Sequence, residues 1–115
     1  MEQSLYVHGI NLFNRAAFFD AHEVWEDVWR AAPPEEKKFL QGLIQVAVAF
    51  HHHSTGNLIG ARSLLDRATR NLQGYPEDHA GVQLSALLLS LATWKEALAD
   101  GGPLPPMPHI ERCEP

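Results

Sequence analysis

Residues 21–29 read Ala-His-Glu-Val-Trp-Glu-Asp-Val-Trp, a stretch that sets ionisable side chains among large aromatic ones. Wound into a helix, it puts His22 and Glu26 one turn apart, beside the ridge formed by Trp25 and Trp29. A titratable pair against two indoles can be kept dry and oriented, which is what ligand recognition, metal binding or proton transfer all require. On a helical wheel Ala21, Val24, Trp25, Val28 and Trp29 form the apolar arc, with His22 and Glu26 at its edge. Glu23, Asp27 and Arg30 fall on the far, solvated side.

A second polar set follows on the next helical stretch. Gln41, Gln45 and His52 recur at i, i+4 and i+11, along one flank of an otherwise apolar run. Buried amides without partners cost on the order of 1–3 kcal/mol each, so these residues need something to bond. If the two helices pack antiparallel, His22 and Glu26 can lie level with Gln45 and His52. The blandest outcome is a satisfied polar network that fixes helix register. A ligand site built from His22, Trp25, Glu26, Trp29, Gln41, Gln45 and His52 is the functional one.

Metal binding is the alternative, with His22, Glu26 and His52 as ligands of a divalent cation. The pattern departs from known ligand spacings. Glu26 stands where the zinc-protease motif His-Glu-x-x-His has its second histidine, and the Glu-x-x-His pairs of di-iron bundles are missing. His51, His52 and His53 point about 100° apart on a helix, so they cannot converge on one ion. A His–Glu pair could also orient a general base, but no Ser, Cys or Thr nucleophile and no phosphate-cradling glycine loop accompanies it. Whether the chain is an enzyme is left open by its residues.

The elements that must position these groups are all helical. The 115 residues, 45% hydrophobic and 20% charged, fit one ordinary globular domain. Period-two alternation is absent, and apolar residues recur at helical spacing. Helices are expected at about 3–14, 16–31, 35–54, 58–72 and 82–99. Pro33-Pro34 divides the second from the third, and Gly56-Asn57 caps and restarts the chain before the fourth. The third is uncharged from Phe39 to Phe50 and apolar on every face, so the others should surround it. The fold class is therefore all-α, a compact five- to six-helix bundle around a buried central helix at about residues 35–54. Residues 1–100 form the domain. Residues 101–115 form a Pro-rich tail, either a disordered end or, by burying Leu104, Met107 and Ile110, a segment that lies over the bundle.

The formal net charge of −5 and the lack of a Lys/Arg cluster argue against nucleic acid as a partner. Arg62, Arg67 and Arg70 are interrupted by Asp66 and read as a solvated helix face. The longest apolar run, Val46 to Phe50, is too short to span a bilayer, and no signal peptide is expected. One cysteine, Cys113, cannot form an internal disulfide, which points to a reducing, cytoplasmic setting. Val82, Ala86 and Leu89 lie opposite the main stripe of the fifth helix, a small patch that could pair two subunits as a homodimer.

The segment from Phe13-Asn14 through Phe18-Phe19-Asp20-Ala21-His22-Glu23-Val24-Trp25-Glu26 to Trp29-Arg30 resembles the signature of a small prokaryotic all-helical family, domain of unknown function 309. The resemblance continues through Lys38-Phe39-Leu40-Gln41-Gly42-Leu43-Ile44-Gln45, Gly56-Asn57 and Gly60-Ala61, and spans roughly residues 5–98. It implies a helical bundle with one central helix, and no established activity. The positions that match the family motifs are His22, Glu23, Trp25, Glu26, Trp29, Gln41, Gly42, Gln45, Gly56 and Asn57.

Overall fold

The computed structural model describes residues 3–113. Five helices follow one another: α1 (Gln3–Asn14), α2 (Phe18–Ala31), α3 (Pro34–Ser54), α4 (Leu58–Leu72) and α5 (Leu84–Asp100). A single 3₁₀ turn, His79–Gly81, lies between α4 and α5. Among the described residues no strand forms, and one isolated antiparallel bridge joins Val82 to Arg112. No described helix is long and apolar enough to cross a membrane.

Two helix starts lie later than the sequence suggests. Ala16 belongs to the end of α1, not to α2: it is left-handed (φ 63°), its N–H bonds to the Phe13 carbonyl at 2.9 Å, and the Ala17 N–H reaches back to Leu12 at 2.9 Å. That is a Schellman closure with alanine in the place usually taken by glycine. Val82 is the second case. It is extended, fully buried and bridged to Arg112, and α5 begins only at Leu84. Both Glu77 carboxylate oxygens accept from the Ser85 N–H at 3.2 and 3.1 Å, capping one free amide of the first turn. The expected pairing patch therefore loses Val82 and retains Ala86 and Leu89, the latter 70% exposed.

The α3–α4 corner follows its sequence signals. Gly56 takes φ 85°, and the Asn57 N–H reaches the His52 carbonyl at 2.8 Å. The Asn57 side chain then accepts from the Gly60 N–H at 2.9 Å as the N-cap of α4. Asn57→Ala is expected to lower stability by about 1 kcal/mol, read as a shift of the urea midpoint.

α3 packs between α2 and α4, burying Phe39, Leu40, Leu43, Ile44, Val46, Ala47, Ala49 and Phe50. It is not enclosed on all sides. Gln41, Gln45, Val48 and His52 stay half-buried along one stripe. Gly42 lets α4 approach closely, since a Cβ there would stand 2.7 Å from Leu72 Cγ. At one end of the bundle Phe13, Phe18, Phe50 and Trp94 interlock, with ring centroids 5.1 to 6.2 Å apart.

The tail lies over this bundle. Ile110 is 2% exposed and joins the core, whereas Leu104 and Met107, expected to bury with it, stay 51% and 41% exposed. The Asn14 amide donates to the Ile110 carbonyl at 3.0 Å and accepts from its N–H at 2.8 Å. Trp94 Nε1 donates to the Pro106 carbonyl at 3.0 Å. Proline supplies no N–H of its own, but its carbonyl remains a good acceptor.

Candidate functional site

His22 and Glu26 meet on the outer side of α2, with Nε2 to Oε1 at 2.7 Å and side chains 19% and 42% exposed. The other ring nitrogen, Nδ1, lies 2.9 Å from the Phe19 carbonyl oxygen. Both ring nitrogens thus lie within hydrogen-bond distance of an acceptor oxygen. Arg30 reaches Glu26 at 3.7 Å and also pairs with Asp27. A hollow of about 300 Å³ is bordered by His22, Glu23, Glu26, Asp27 and Arg30, all from α2. Glu23, Asp27 and Arg30 are solvated as the wheel implies, yet they share one hollow with the His–Glu pair.

Phe19 extends this face toward α3. Its ring is 49% exposed and stands 5.1 Å from His22 and 5.3 Å from His51. Neither Phe19, quoted only within the family motif, nor His51, weighed only as one of three diverging imidazoles, was placed beside His22 by the sequence. An apolar residue one turn before His22 that did not fit the core stripe was the available signal.

The remaining expected site residues turn elsewhere. Trp25 is fully buried and donates from Nε1 to the Tyr6 carbonyl at 3.2 Å, on α1. Trp29 is half-buried beneath Lys37, whose Nζ sits 4.0 Å from the ring centroid. Neither indole borders the hollow; they fix α2 against α1 and α3. Gln45 accepts from Asn71 Nδ2 at 2.8 Å and so bonds to α4 rather than α2. Gln41 shares that half-buried stripe with His52, whose ring stands 6.4 Å from His51. Among the described residues no three His, Cys, Asp or Glu side chains come close enough to hold a metal ion. His22, Glu26 and His52 are accordingly not assembled as ligands: His22 pairs with Glu26 within α2, whereas the His52 ring lies beside His51. His53 packs edge-on against Trp94 at 5.2 Å, and its Nδ1 is buried without a hydrogen-bond partner.

A more enclosed polar pair was not legible. His79 Nε2 lies 2.8 Å from Glu36 Oε2, with side chains 18% and 20% exposed. The imidazole sits between Phe39 and Tyr75, at 4.8 and 4.4 Å. Close by, the Tyr6 hydroxyl donates to the Ala80 carbonyl at 3.0 Å. Burial pushes the Tyr6 phenol above its ordinary range and the Glu36 charge adds to this, so it keeps its proton and remains a donor. Together these bonds pin the 79–81 turn to α1 and α3. Pairs separated by forty residues have no local spacing by which a sequence could announce them.

The profile of a family described as "Domain of unknown function (DUF309)" matches residues 6–64. The chain belongs to this family. The DUF309 match covers α1 to α3 and the first half of α4; α5 lies beyond it, short of the 5–98 expected, and every quoted motif falls inside it. The uncharacterised protein YpuF of Bacillus subtilis (strain 168) is 37% identical over 67 residues, 57% of this chain and 37% of YpuF. An uncharacterised protein of Aquifex aeolicus (strain VF5) is 32% identical over 76 residues, 65% of this chain and 23% of its own length. This DUF309 chain thus spans well under two thirds of the curated relatives it matches.

Proposed function

We propose that the chain is a binding module whose recognition face is the outer side of α2 around His22 and Glu26. The acidic lining of the hollow, with the exposed Phe19 ring beside it, carries this reading. The hollow sets three carboxylates, Glu23, Glu26 and Asp27, against the single guanidinium of Arg30. With the exposed Phe19 ring alongside, this suits a protein partner presenting lysine or arginine next to an apolar side chain. Trp25 and Trp29 support the face from behind, while Gln41, Gln45 and His52 belong to the neighbouring flank of α3. A cytoplasmic setting fits the lone thiol of Cys113.

The test is an NMR titration of the chain with a short Lys/Arg-rich peptide carrying one aromatic residue, and separately with Zn²⁺. Peptide-dependent shifts are expected at Phe19, His22, Glu26 and His51. Glu23→Lys should weaken them at least tenfold. Stoichiometric Zn²⁺ shifts at His22 with no response to the peptide would overturn the reading in favour of the metal alternative.

A further inference from the structure

The C-terminal segment is held as a bound peptide is held. Its anchors are discrete and mostly made to main-chain atoms. Asn14 reads both the N–H and the carbonyl of Ile110, and the Ile110 side chain fills a core pocket. Trp94 donates to the Pro106 carbonyl, as an indole can to any extended proline-containing chain. Beyond Ile110 the segment pairs like an added strand: the Gln83 N–H donates to the Glu111 carbonyl at 2.8 Å, and the Cys113 N–H donates to the Gly81 carbonyl at 2.8 Å. Between these anchors the fit is loose. A hollow of about 430 Å³ separates Leu89 and Thr93 of α5 from Met107 and His109 of the tail.

The connection to α5 is built to turn. Gly101 is left-handed (φ 67°), and Gly101, Gly102, Pro103 and Leu104 are all exposed. We propose that the groove formed by Asn14, Trp94 and residues 81–83 is a peptide-recognition site, and that its partner is the C-terminal segment of a second copy, exchanged reciprocally. A second copy is the one chain certain to carry a matching extended segment with prolines and an isoleucine anchor. Reciprocal exchange preserves every anchor, so the balance is set by hinge geometry and concentration, and the resulting two-fold dimer is closed.

Deleting Gly102 and Pro103 tests this directly, because a shortened hinge hinders return of the tail to its own bundle. Sedimentation is expected to show the deletion variant shifting from monomer to dimer. Adding Asn14→Ala should weaken that dimer at least tenfold, about 1.4 kcal/mol. A folded deletion variant that stays monomeric would overturn the proposal, as would a dimer indifferent to Asn14→Ala. Should the deletion variant not fold, the full chain with a protease site inserted between Gly101 and Gly102 is cut and mixed with a fluorescent peptide of residues 104–113. The peptide is expected to bind, and tenfold more weakly with Asn14→Ala. No binding by a cut chain that keeps its helical circular dichroism overturns the proposal.

Discussion

Gly9→Ala is expected to cost the fold about 2–4 kcal/mol, against the usual benefit of alanine in a helix. Gly9 is buried within α1, directly over the Trp25 indole. A Cβ there would stand 2.5 Å from Cδ1 and 2.7 Å from Cε2, and closer still to Nε1. No flexible chain end can yield, because Trp25 is fully buried and its indole is tied to the Tyr6 carbonyl one turn before Gly9. Relief requires moving the ring or the helix. Overpacking of this kind costs about 1–3 kcal/mol, and a displaced indole leaves a buried N–H unpaired for a comparable amount. Alanine's helix propensity returns only about 1 kcal/mol. Urea unfolding with an unchanged slope would report the difference, and a midpoint at or above wild type would show that α1 and α2 are not locked here.

That contact also shows how far the sequence could be read. The wheel of α2 placed Trp25 on the buried arc correctly, but a wheel gives an azimuth and not the identity of the neighbour. Trp25 meets α1, so the two indoles do not wall the His22 site. His22 and Glu26 were legible because their contact lies within one helical turn. Gln45 with Asn71, and Glu36 with His79, were not, because each contact is made by the packing of separate elements. Boundaries followed the same logic. Pro33-Pro34 and Gly56-Asn57 act through local backbone geometry and were read well. Ala16 adopts a left-handed conformation without the glycine that normally marks it, and Val82 is extended by pairing with Arg112, thirty residues further on.

The same distinction between local pattern and packing governs α3, where one substitution at two nearby positions should give opposite results. Leu43 is fully buried in the core between α2 and α4. Leu43→Asp would place a carboxylate there with no cation to meet it, at a cost of several kcal/mol in addition to the lost leucine packing. Domain stabilities run at about 5–15 kcal/mol, so little or no cooperatively folded population is expected. Gln41 lies two residues earlier, about 200° around the same helix, on the half-buried stripe with Gln45, Val48 and His52. It is half-buried where Leu43 is fully buried, and Gln41→Asp should cost about 1 kcal/mol or less. Thermal melts followed by circular dichroism separate the two. A near-wild-type melt for Leu43→Asp would show that α3 is not the centre of the core, and an equally unfolded Gln41→Asp would show that its outer stripe is closed.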